Sequence, residues 1–119
     1  MFQEVLRSVV DNTEGGIAAL LMGYDGIPVE QYLAQDQESN VETVGMEYSV
    51  ILKEIRKAAE MLDAGDAREV AIQAENVTTL IRMLNSEYFV AMTIKPGGNF
   101  GKARYLLRVN SQKLIDALS

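Results

Sequence analysis

The sequence predicts an α/β domain of the α+β type. Its element order is α-β-β-α-β-β-β-α, with a five-stranded antiparallel sheet and helices on both faces. Two observations carry this reading. Segments with apolar residues at spacings of three and four open, divide and close the chain, as amphipathic helices do. Between them lie short runs that are either continuously apolar or alternate in polarity, joined by brief Asn-, Asp- and Gly-containing turns that make antiparallel hairpins.

The first helix rests on Phe2, Val5, Leu6, Val9 and Val10, with Gln3, Glu4, Arg7 and Ser8 on the other side, and Gly15 and Gly16 end it. The run Gly16 to Gly23 is apolar throughout, too short for an independent helix and bounded by glycines. It reads as a strand buried on both faces. Tyr24-Asp25-Gly26 supplies a turn, Pro28 sits near a strand start, and Val29 to Ala34 completes a hairpin.

Gln35 to Asn40 reads as a polar loop, with Asn40 as a cap for the longest helix, Val41 to Ala64. The stripe of that helix is Val41, Val44, Tyr48, Ile51, Leu52, Ile55, Ala59 and Leu62, and Gly65 suits the left-handed residue beyond its end. Three strands follow: Glu69 to Glu75, Thr78 to Leu84 and Tyr88 to Ile94. The loop Pro96 to Gly101 leads into a last helix, Lys102 to Leu118, whose inner stripe is Ala103, Leu106, Leu107, Leu114, Ala117 and Leu118.

The chain has 119 residues, the size of one domain, with no linker-like stretch and no internal repeat, so residues 1–119 are expected to form a single domain. The net charge of −6 argues against nucleic-acid or anionic-membrane partners. His and Cys are both absent, which removes disulfides, thiolate nucleophiles, Cys/His zinc sites and histidine bases. The longest apolar run, Ile17 to Met22, is far short of the roughly 20 residues of a membrane span. No targeting segment is evident. A cytoplasmic protein without cofactor or metal is the expectation.

The motifs that resemble chemistry fail on inspection. Gly97-Gly98-Asn99-Phe100-Gly101-Lys102 follows a strand and opens a helix, as a phosphate-binding loop does. Yet Pro96 stands where its first glycine belongs, and Ala103 stands where Ser or Thr would hold magnesium. The pairs Asp63/Asp66 and Glu69/Glu75 are better explained as solvated charges than as an acid/base couple. An enzyme has no residue set to stand on.

Two surface features are more informative. Met46, Val50 and Met61 fall off the main stripe of the long helix, interleaved with Lys53, Glu54 and Lys57. They form either an adaptable protein contact or part of a wide buried face. The alternating strand holds Glu69, Val70, Ala71, Ile72, Gln73 and Ala74 and contains no proline. At a sheet edge it would offer free N–H and C=O groups to the same strand of a second copy.

The Gly23-Tyr24-Asp25-Gly26-Ile27-Pro28-Val29 hairpin, the long helix with its Gly65 stop, the Phe100-Gly101-Lys102 helix entry and the element order together resemble the roadblock domain. The likeness is greatest to its bacterial and archaeal branch, which includes the MglB-type regulators, and it spans nearly the whole chain. It implies a homodimer or heterodimer joined at the third strand, and paired second helices that form a platform for partners. It also implies regulation or scaffolding of a Ras-like small GTPase; on the platform helix, Met46, Val50, Lys53, Lys57 and Met61 are the contact candidates. A GTPase-independent adaptor, like the dynein light chains of the family, is the alternative. A small-molecule sensor is a further one, whose sign would be a concave polar pocket with convergent titratable groups. Arg56 lies on the platform helix, but nothing in the sequence makes it an arginine finger.

Overall fold

The computed structural model describes residues 1–34 and 41–119. The expected loop at Gln35 to Asn40, with the cap by Asn40, lies outside the described residues. Eight elements follow in order: α1 (Phe2–Asp11), β1 (Gly16–Gly23), β2 (Pro28–Leu33), α2 (Val41–Met61), β3 (Glu69–Gln73), β4 (Thr78–Met83), β5 (Tyr88–Ile94) and α3 (Phe100–Leu118). The strands form one antiparallel sheet in the order β2-β1-β5-β4-β3. The expected architecture is the one observed.

Alternation along the central strands sorts side chains into two cores. Leu21, Leu80, Val90 and Met92 face α1 and α3, where they meet Leu6, Val9 and Leu107. Leu20, Met22, Ile81 and Phe89 face the other way, toward Leu52 of α2. β1 is therefore covered on both faces, and Ala18 through Met22 are all buried. That explains why it reads as a continuous apolar run rather than an alternating one.

The β1–β2 turn follows from its residues. The Asp25 side chain accepts from the Ile27 amide at 3.0 Å, and Gly26 has φ 86°. That positive φ is a conformation in which a Cβ is unfavourable.

The stripe assigned to α2 needs correction. Val44, Ile51 and Leu62 are exposed, and the buried line instead runs through Gly45, Ser49 and Leu52. The reason is the close seating of the helix. Leu20 Cδ2 and the Met22 thioether occupy the space where a Gly45 Cβ would stand. Ser49 turns its hydroxyl back on the Met46 carbonyl at 2.6 Å, so its burial leaves no orphan donor. Burying Leu52 completely removes a side chain worth about 1.5–3 kcal/mol from water.

α2 also stops earlier than Ala64. The Ala64 amide donates to Ala59 O and the Asp63 amide to Glu60 O, both at 3.0 Å, while Asp63 has φ 53°. This is a Schellman ending in which Asp63, not Gly65, takes the left-handed position. Gly65, at φ 82°, belongs to the turn that follows.

Smaller departures occur at other ends. α1 stops at Asp11, before Gly15, and β3 ends at Gln73, so Ala74 falls in the β3–β4 turn with its amide on Val77 O. α3 begins at Phe100 because the Asn99 side chain caps it, accepting from the Lys102 amide at 3.0 Å. Ala117, assigned to the inner stripe of α3, is exposed, and Ser111 is buried on that face instead.

Candidate protein-binding surfaces

α2 covers only part of its face of the sheet, and this leaves two kinds of surface. Its outward ridge carries Met46, Val50, Lys53, Lys57 and Met61, at spacings of three and four that place them on one side of the helix. Met46 is 54% exposed, Val50 59% and Met61 82%, and the two lysines are exposed with them. Lys57 lies 3.6 Å from Glu54 in a solvated pair that adds little stability. The ridge is thus apolar and cationic, and among the described residues nothing covers it.

Ile27, in the β1–β2 turn, is exposed as well. The Met46 side chain approaches Gly26, its neighbour in that turn, at 3.8 Å from where a Cβ would stand. The hairpin tip therefore adjoins the ridge. Sequence reading placed Ile27 only within the Gly23 to Val29 hairpin and missed this adjacency, because Ile27 and Met46 are far apart in the chain.

The second surface lies on the flank of α2 that faces β4 and β3. Val44, Ile51 and Leu62, displaced from the core by the rotation of the helix, stand exposed. Below them Val70 and Ile72 of β3 are half-buried and pack on the same cluster as Tyr48 and Ile55. A groove of about 260 Å³ opens between Val44, Tyr48, Val77, Thr79 and Thr93. β3 ends the strand order, so among the described residues one side of Glu69 to Gln73 has no neighbouring strand. Glu69 is tied back to α3 by Arg104 at 2.9 Å.

A third feature lies at the C-terminal end of α2. Arg56 crosses above the Tyr24 ring, 4.6 Å from its centre, and Nη1 donates to the Ser86 carbonyl at 3.2 Å. Burial pushes the Tyr24 hydroxyl above its ordinary pKa, and the neighbouring guanidinium partly offsets this. That hydroxyl has no hydrogen-bond partner among the described residues.

None of this resembles a catalytic centre. Among the described residues, no group of three His, Cys, Asp or Glu side chains is placed to hold a metal ion. The glycine loop before α3 is not a phosphate cradle but a packing element. The Asn99 amide donates to Glu14 O, and the Lys95 amide to Gly15 O, each at 2.8 Å.

No protein-family model and no curated protein matches the chain. Solved structures do. The chain is similar to MglC from Myxococcus xanthus, at 38% identity over 92% of each chain, with a TM-score of 0.66. The chain belongs to the roadblock/LC7 family. Two more distant members share its fold. A roadblock/LC7 domain from Streptomyces avermitilis is 14% identical over 98% of this chain and 96% of its own, with a TM-score of 0.86. MglB from Myxococcus xanthus is 9% identical over 98% of this chain and 93% of its own, also with a TM-score of 0.86. The roadblock arrangement accounts for the sheet order and for the lone helix on one face. Among the described residues no helix is long and apolar enough to cross a membrane.

Proposed function

We propose that the protein is a non-catalytic, cytoplasmic regulator or scaffold of a Ras-like small GTPase. It acts as a homodimer, and the α2 ridge receives the partner. The observation that carries this reading is the uncovered apolar and cationic ridge, Met46 to Met61, on a helix whose opposite side is seated in the core. Methionine and lysine together make an adaptable surface with an apolar centre and a charged margin.

The dimer reading rests on a separate feature. The free edge of β3 adjoins an exposed apolar flank, Val44, Ile51 and Leu62. Pairing β3 with its copy would continue the sheet and cover that flank in one isologous contact. Sedimentation at micromolar concentration tests it. The wild type should run as a dimer and Ile72→Lys as a monomer, and a monomeric wild type would remove the edge-strand argument.

Replacing Met46 and Val50 together by Asp should abolish binding of a GTP-loaded Ras-like GTPase while the circular dichroism spectrum stays native. Unchanged affinity would sink the ridge assignment. Comparing pull-downs with GTP- and GDP-loaded partner separates a regulator from an adaptor, which would bind both states alike.

A further inference from the structure

The cavity beneath the C-terminal end of α2 has the composition of a small-ligand site, which shares Lys53 and Lys57 with the margin of the α2 ridge. Its volume, about 610 Å³, falls within the roughly 300–1,000 Å³ of small-molecule pockets. Tyr24 and Met83, which belong to the core cluster on the α2 side of the sheet, give it an apolar wall. Lys53, Arg56, Lys57 and Arg68 bring cations to it, while Glu60, Asp63 and Asp66 line it as well.

Arg56 is the organising group. Arg56 is half-buried, and two contacts fix the plane of its guanidinium: the Tyr24 ring at 4.6 Å and the Ser86 carbonyl at 3.2 Å. The bond to Ser86 uses Nη1 and leaves other N–H donors of the fork without partners. Three carboxylates line the same cavity, yet among the described residues none forms an ion pair with Arg56. A guanidinium held in place and left without a carboxylate is arranged for an oxyanion from outside, which it can grip with parallel hydrogen bonds. Beside it, Tyr24 is 5% exposed and its hydroxyl is unpartnered, a second polar group of the site without a mate.

We infer that this cavity binds a small ligand through one oxyanion group, carboxylate or phosphate, set on Arg56 with Lys53 and Lys57 beside it. The apolar part of the ligand lies along Tyr24 and Met83. The acidic side chains confine the anion to the Arg56 end and accept hydrogen-bond donors from the rest of the ligand. This inference stands on the cavity alone and does not depend on the GTPase reading.

The test is a nitrogen-15 NMR titration of the intact protein with phenyl phosphate in one arm and benzoate in another. The expected result is saturable shifts confined to the Arg56 side-chain Nε–H and the amides of Asn85, Ser86 and Arg68. The arm that saturates at lower concentration identifies the oxyanion. Arg56→Gln should weaken binding by about tenfold or more, as the loss of a charge-assisted contact does. Arg56→Lys, which keeps the charge and loses the fork, should also weaken it, and it serves if the glutamine variant does not fold. Shifts that rise linearly in both arms, that spread equally to Lys102 and Lys113, or that persist in both variants would overturn the inference.

Discussion

The Tyr48 hydroxyl and the Thr79 hydroxyl lie 3.1 Å apart and join α2 to β4 across the sheet face. Thr79 is buried, so without this bond its oxygen would have to find another partner away from water. Tyr48→Phe should therefore cost about 1–3 kcal/mol, because it strands the threonine hydroxyl. Adding Thr79→Val should recover part of that loss, since two matched apolar groups leave nothing unpaired. Urea denaturation of the two singles and the double checks this. A double variant that simply sums the single losses would show that the bond contributes no coupling.

Tyr24 should behave in the opposite way. Its buried hydroxyl has no partner, so Tyr24→Phe is expected to raise stability by about 1 kcal/mol. The same burial raises the pKa of the phenol in the folded state. The unfolded phenol ionises near about pH 10 while the folded one stays neutral, so stability is complete below that pH and falls as pH rises beyond it. Tyr24→Phe should flatten this alkaline decline. Some slope should remain from Tyr32, whose hydroxyl donates to Asp11 at 2.8 Å and whose pKa is raised first by that bond. Denaturation midpoints between pH 8 and about pH 11 measure both effects. A decline in Tyr24→Phe as steep as in the wild type would refute the assignment.

Gly98 and Gly101, a turn apart in the same loop and helix, should respond differently to alanine. A Cβ at Gly98 would stand 2.7 Å from Glu14 O and 2.6 Å from Ile94 Cγ2, and the backbone there is held by the Asn99–Glu14 hydrogen bond. Gly98→Ala should lose about 1–3 kcal/mol, the usual range for overpacking. At Gly101 only Asn99 Oδ1, at 3.7 Å, comes near, and the residue is helical. Gly101→Ala should gain up to about 1 kcal/mol from helix propensity. Thermal unfolding of both variants reads the contrast, and equal effects would contradict the packing described for this loop.

Much of the fold is legible in the order of residues. The apolar run of β1, the stripe of α1 and the Asp25-Gly26 turn each express a local rule, namely burial on both faces, helical spacing and tolerance of positive φ. The strand sequence and element order follow from them. Met46, Val50 and Met61 also stood out, because they fall off the main stripe, but the sequence left open whether they form a protein contact or part of a wide buried face.

The placement of α2 was not legible. Counting apolar residues put Val44, Ile51 and Leu62 in the core, while the helix rotates to bury Gly45 and Ser49. Small residues give no hydrophobic signal, yet they are what allow a helix to approach Leu20 and Met22 closely. Whether a small residue marks a weak helix position or a contact depends on what stands opposite it. The cavity around Arg56 was hidden for a similar reason. Its walls come from α2, the segment after it, the β1–β2 turn, the end of β4 and the β4–β5 turn, and only folding brings Tyr24, Arg56 and Ser86 together. The sequence by itself determined the elements, their order and the absence of His- and Cys-dependent chemistry, because these rest on residue identity and local periodicity. The tertiary structure alone decided which face of α2 is free, where the β3 edge meets it and how one arginine is held without a carboxylate, because those depend on distances between residues remote in the chain.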